Sequence, residues 1–171
     1  MKLVLLRHAS RNPFEGADSG LNSEGKYQAQ ALLTRLIDPR ASPPLANLHV
    51  ANLPRPTHLY SSPKRRARET LTPLAEALQI DLRIEENLDE RRSEGEGERQ
   101  FEKRVIEYLS QLTEQHSGES VIFLCSHMDW LEVAMFYLTA QENDSELDFG
   151  FSNCQARVFT SNDSFWQMCK S

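Results

Sequence analysis

The stretch Leu3-Val4-Leu5-Leu6-Arg7-His8-Ala9-Ser10-Arg11 runs four apolar residues straight into a histidine set among guanidiniums. A short apolar run with polar flanks is the pattern of a strand buried on both faces, so residues 3–6 predict a central strand that ends at His8. In doubly wound sheets, ligands sit beyond the carboxyl ends of the strands, which puts His8 where one would bind. An arginine fork matches phosphate oxygens in a bidentate way and keeps its charge. A neutral imidazole can attack phosphorus and hold the phosphoryl group covalently. Taken alone, the segment reads equally well as a surface histidine with basic neighbours.

A second run, residues 121–124, leads through Cys125-Ser126 to His127, and residues 57–60 form a weaker strand candidate. Apolar residues at helical spacing place helices over residues 25–37 (Ala29, Leu32, Leu33, Leu36) and around Phe101, Val105, Tyr108, Leu109 and Leu112. Two more helices are expected over residues 66–78, kinked or restarted at Pro73, and over residues 128–138. Residues 156–160 and 165–169 flank Ser161-Asn162-Asp163 as a hairpin or edge pair. Strand followed by helix recurs, so the expected fold is α/β, a three-layer α/β/α sandwich on a mixed, mostly parallel sheet. Five of the eight prolines fall between Pro39 and Pro56, which reads as an irregular connection with one helical turn near residues 45–48. Residues 85–104, dense in both charge signs, read as an exposed loop running into the next helix.

With 171 residues, 39% hydrophobic and 26% charged, the chain has the size and balance of one domain, residues 1–171. A net charge of -6 argues against nucleic-acid or anionic-membrane partners, which demand a cationic face, so an anion site here must be local. Cys125, Cys154 and Cys169 are odd in number and share no CxxC spacing, as expected of reduced thiols. Only four apolar residues lie between Lys2 and Arg7, too few for a signal-peptide core, and no run is long enough to span a membrane. The expected location is the cytoplasm; the sequence says nothing of oligomeric state.

His127 opens a helix, near amides that favour an anion, whereas His49, His58 and His116 lack such a setting and read as structural or surface residues. Ser61-Ser62-Pro63-Lys64-Arg65-Arg66-Ala67-Arg68-Glu69-Thr70 brings four basic residues to a strand-to-helix turn, and Leu88-Asp89-Glu90-Arg91 offers a carboxylate to serve as a general acid.

Together these segments resemble the histidine phosphatase, or phosphoglycerate mutase-like, superfamily, in order and over nearly the whole chain. Arg7-His8-Ala9 matches its Arg-His-Gly signature, and residues 21–29 match its Leu-Thr-x-x-Gly-x-x-Gln-Ala element. Residues 61–70 match Ser-Ser-Pro-x-x-Arg-Ala-x-x-Thr, which selects Arg66 as the pocket arginine, and Ser126-His127 matches the second histidine. The resemblance implies a metal-independent phosphatase without cofactor. In it His8 attacks phosphorus, Arg7, Arg66 and His127 clamp the oxygens, and Glu90 is the acid and then the base. The substrate it implies is a phosphorylated small molecule or a phosphoprotein, phosphohistidine included. The alternatives are a mutase-type phosphotransferase and a non-catalytic phosphate-binding module. A metal hydrolase with His8, His127 and Asp129 as ligands ranks last, since arginines repel a cation.

Three departures stand out. Ala9 replaces the usual Gly and adds a methyl beside the nucleophile, expected to narrow the pocket slightly without inactivation. Arg11 stands where the mutase branch carries Ser or Thr; Arg7 to Pro13 resembles instead the Arg-His-Gly-x-Arg-x-Pro signature of the acid phosphatases, which makes Arg11 a further phosphate arginine. Asp129 lies one place later than the acid phosphatases' acidic residue, so it is a reserve acid, more simply explained as a helix N-terminal carboxylate. In size the chain is closest to the small SixA-type phosphohistidine phosphatases, although that group lacks a clear equivalent of Glu90.

Overall fold

The computed structural model describes residues 1–38, 40, 53–92, 94–116, 118–140, 149–162 and 165–169. Most of the proline-rich connection, with the turn expected at residues 45–48 and His49, lies outside them. In chain order the elements are β1 (Lys2–Arg7), α1 (Ser23–Ile37), β2 (His58–Ser61), α2 (Arg65–Leu78), β3 (Leu82–Ile84), a 3-10 turn (Glu86–Leu88) and α3 (Glu98–Gln115). They are followed by β4 (Val121–Ser126), α4 (Met128–Thr139), β5 (Ala156–Asn162) and β6 (Phe165–Met168).

The strands form one sheet in the order β3-β2-β4-β1-β5-β6. The first four are parallel, and β5 and β6 join antiparallel, so the sheet is mixed as expected. Alternation along the central strands feeds two cores. Leu3, Leu5, Ile122 and Leu124 point to the side covered by α3 and α4, where Trp130 and Leu109 are buried. Val4, Leu6, Phe123 and Cys125 point to the side covered by α1 and α2, where Leu32, Leu71 and Leu74 are buried. The result is the α/β/α sandwich.

Three local expectations need correction. Helix α2 runs through Pro73 as one segment, so it does not restart there. A mid-helix proline costs about 3 kcal/mol. Leu71 and Leu74 on its two sides are fully buried on the sheet, worth roughly 1.5–3 kcal/mol each, and hold the helix in phase. Strand β3 adds to the expected set; only three residues form it at the sheet edge, and none is buried. The segment 85–104 is not one exposed loop: α3 starts at Glu98, and Leu88 and Asp89 are buried.

The first turn of α1 is built against the residues that follow β1. Asn22 caps the helix by accepting from the Gly25 amide, and Gln28 Oε1 accepts from the Ser10 amide at 2.8 Å. A Cβ on Gly25 would lie 1.9 Å from the Ser10 carbonyl oxygen, a close approach only glycine permits. Gly25→Ala is therefore expected to destabilise the protein by about 1–3 kcal/mol or more, from urea unfolding, and to lower activity by displacing Ser10. Gly118→Ala, where an added Cβ meets nothing within 4 Å, is expected to leave the unfolding midpoint nearly unchanged.

Candidate active site

Each parallel strand delivers a functional residue at its carboxyl end: His8 after β1, Ser62 after β2, Asp89 and Glu90 after β3 and its 3-10 turn, and His127 after β4. They converge on a pocket of ≈ 350 Å³ that Arg7, His8, Arg11, Arg66, Glu90 and His127 all line. All six residues expected from the sequence are thus brought together, and Asp129 lies on the same wall.

His8 is almost fully buried, with its amide bonded to the Ser126 carbonyl and its own carbonyl accepting from Cys154 N–H. Its Nδ1 lies 2.8 Å from the Ala9 carbonyl. A carbonyl only accepts, so Nδ1 carries the proton and Nε2 keeps a free lone pair. That lone pair accepts from Arg66 Nε at 3.3 Å. Burial is the main force holding the His8 pKa down, to about 4, with the charges of Arg66, Arg7 and Arg11 adding to it and the Ala9 hydrogen bond opposing.

Arg66, 2% exposed, is the hub. Its guanidinium donates to His8 Nε2, to the Ala17 carbonyl (2.9 Å), to Glu90 Oε2 (2.7 Å) and to His127 Nδ1 (3.2 Å). The loop that supplies Ala17 also supplies Asp18, whose Oδ1 accepts from the Arg65 amide at the start of α2. His127, its ring centroid 5.2 Å from that of His8, is held neutral by burial first and then by Arg66, His8, Lys64 and Arg7, with a pKa of about 2. Arg7 donates to the Phe151 carbonyl, while its buried Nε–H finds no partner among the described residues and leaves a donor beside an anion-sized pocket. Burial lowers its pKa, with Glu132 pushing back.

Glu90 owes its place to a backbone clamp. Arg104 donates to the carbonyls of Asn87, Asp89 and Glu90, and the Trp130 indole N–H and Ser126 hydroxyl hold Asn87 and Leu88. Glu96, whose carboxyl Arg104 depresses to a pKa of about 2, fixes Arg104 in turn.

Other assignments shift. The Ala9 side chain is fully buried in the core under α1 and α2, so its methyl fills the interior and does not line the pocket. Its amide donates to Thr70 Oγ1 at 2.9 Å. Asp129 accepts from the amides of Arg91 and Trp130, a structural employment that agrees with the helix N-terminal reading. Arg65 pairs with Glu69, whereas Lys64 lies 3.5 Å from Asp89 and 3.9 Å from Glu90. Ser62, Asp89 and Asn153 belong to the site or its wall beyond the six expected residues. Ser62 and Asp89 stand inside the motifs that flag their neighbours, but Asn153 carries no sequence signal. Among the described residues no group of three or more His, Cys, Asp or Glu is arranged to hold a metal ion, and no helix is long and apolar enough to cross a membrane.

The sequence pattern of the histidine phosphatase superfamily (branch 1) matches residues 3–93 and 91–170, and the chain belongs to that superfamily. No curated protein matches it. Among solved structures, the alpha-ribazole phosphatase of Shigella flexneri shares 20% identity with a TM-score of 0.74, covering 99% of this chain and 95% of that one. The mycobacterial glucosyl-3-phosphoglycerate phosphatase shares 16% with a TM-score of 0.72, covering 98% and 96%. The putative phosphohistidine phosphatase SixA of Agrobacterium tumefaciens shares 21% with a TM-score of 0.66, covering 99% and 96%. These likenesses establish the fold.

The two buried neutral imidazoles set a pH dependence of stability. Both resist protonation in the fold, while the unfolded chain takes protons near pH 6.5. Their contribution is complete above that pH and is lost as pH falls, through about 4 for His8 and about 2 for His127. Urea midpoints of the wild type are expected to fall more steeply between pH 6.5 and 4 than those of His8→Asn, which lacks one of the two groups. Equal slopes would contradict a neutral buried His8.

Proposed function

We propose that the protein is a metal-independent phosphatase that hydrolyses a phosphomonoester or a phosphorylated protein, phosphohistidine included, through a phosphohistidine on His8. The observation that carries this reading is the unprotonated Nε2 of His8 in a pocket that three guanidiniums and the His127 imidazole line together with Glu90. Single-domain organisation and a cytoplasmic setting are part of the same proposal.

In the first step His8 Nε2 attacks phosphorus in line and the bond to the leaving atom breaks, an oxygen in a phosphomonoester or a nitrogen in phosphohistidine, with Glu90 delivering a proton to that atom. Positive charge develops on the imidazole, and the Ala9 carbonyl that accepts from Nδ1 stabilises it. Arg7, Arg66 and His127 bind the equatorial oxygens, and Arg11, at the exposed rim, completes the cationic wall. An incoming phosphate competes for Arg66, now paired to Glu90, and frees that carboxyl to turn toward the leaving atom. In the second step water gives its proton to Glu90 and attacks phosphorus, the P–N bond breaks, and inorganic phosphate leaves.

Glu90 is 37% exposed, so water reaches the acid directly. That favours hydrolysis over return of the phosphoryl group to a second substrate, as a mutase requires. The test is hydrolysis of p-nitrophenyl phosphate in the presence of chelator, with acid quenching to trap protein-bound phosphate. The wild type is expected to turn over and to carry acid-labile phosphate. His8→Ala is expected to lose at least about 10³-fold in rate and all trapped phosphate, and Glu90→Gln to lose about 10²–10⁴-fold while phosphate remains trappable. Turnover that survives His8→Ala, or that requires added metal, would overturn the proposal.

A further inference from the structure

Behind His127 a chain of hydrogen bonds runs in one direction only. Arg66 has no acceptor, so Nδ1 of His127 must accept from it, and the imidazole proton sits on Nε2. Nε2–H donates to Ser62 Oγ at 2.7 Å. Ser62 Oγ also accepts from the Lys64 amide at 3.2 Å, and its own proton is directed to Asp89 Oδ1 at 3.4 Å. Asp89 is buried, accepts from the Glu90 amide through the same oxygen, and lies 3.7 Å from His127 Nε2. The chain ends there on a carboxylate.

This arrangement presents a lone pair at Nδ1, on the side where a phosphate oxygen would arrive. Once phosphate engages Arg66, that lone pair faces an anion, and Nδ1 must acquire a proton. It can do so in two ways. The ring can switch tautomer, with Ser62 turning its hydroxyl to donate to Nε2 and abandoning Asp89. Alternatively Nδ1 takes a proton from solvent while Nε2 keeps its own.

We propose that Asp89 is a positioning residue that acts on His127 through the Ser62 hydroxyl, so that His127 meets bound phosphate as an imidazolium with both nitrogens donating. The inference rests on the phosphatase reading of the pocket. The charged and titratable groups facing His127 are Arg7, His8, Lys64, Arg66, Asp89 and Glu90. In the empty site burial first, and then the cations, keep the ring neutral even with Asp89 in place. A phosphate dianion added on the opposite side reverses that balance. No heavy-atom bond changes: one proton passes from solvent to Nδ1, and it is returned when phosphate leaves.

The test uses the full-length protein, inorganic phosphate as the probe and pH 8, where free phosphate is a dianion. Nitrogen NMR of 15N-histidine protein reports the protonation of His127, and calorimetry in two buffers of different ionisation heat counts the protons taken up. The wild type is expected to bind phosphate with uptake of one proton and an imidazolium signature at His127. Asp89→Asn, which keeps an acceptor oxygen for Ser62 and Glu90, is expected to bind phosphate at least about ten-fold more weakly and without that uptake. Ser62→Ala, a small change at a buried position, is expected to lose the uptake as well. A neutral Nδ1–H ring in the wild-type complex, or uptake unchanged in both variants, would overturn the role of Asp89 alone. Failure of the wild type to bind phosphate would overturn it together with the phosphatase reading.

Discussion

A guanidinium taken out of water costs several kcal/mol unless its donors find partners, and Arg66 places four of its five N–H groups on one carboxylate, one carbonyl and two imidazole lone pairs. Each partner comes from a different part of the chain: His8 from the end of β1, Ala17 from the loop after it, Glu90 from the turn after β3, and His127 from the end of β4. Satisfying one buried cation therefore draws four segments to one point. It also dictates chemistry, because an imidazole accepts from arginine only when that nitrogen is unprotonated. The same contact that satisfies Arg66 keeps His8 Nε2 unprotonated.

Around this hub lies a cradle of residues that touch no phosphate. Asn22, Gly25 and Gln28 fix Ser10, and Thr70 holds the Ala9 amide while donating back to the Arg66 carbonyl. The chain from Arg7 to Ser10 is thus pinned from α1 and α2, and His8 is held in place by backbone contacts. Arg104 and Trp130 do the same for the turn that carries Glu90. Two helices on each face of the sheet each contribute a fastening, which ties the sandwich to the geometry of the site.

The sandwich is legible in the sequence because β1 and β4 are buried on both faces and read as unbroken apolar runs, and because α1 and α3 keep their apolar residues in helical phase. The six residues that meet at the pocket are legible because their motifs stand in order along the chain. What stays hidden has a different cause. Strand β3 is too short and too exposed to leave a pattern. Asp89 and Lys64 look like solvent-facing charges because a sequence does not show that one is buried and the other leans over it. The direction in which the Ala9 methyl points is set by tertiary packing, so its consequence for the pocket cannot be read from a neighbouring histidine.

If His8 Nε2 is the atom that takes the phosphoryl group, a crystal structure of the orthovanadate complex will show vanadium bonded to His8 Nε2, equatorial oxygens on Arg7, Arg66 and His127, and the opposite apical oxygen within reach of Glu90. Vanadate bound without a bond to His8, or bound outside this pocket, would contradict it.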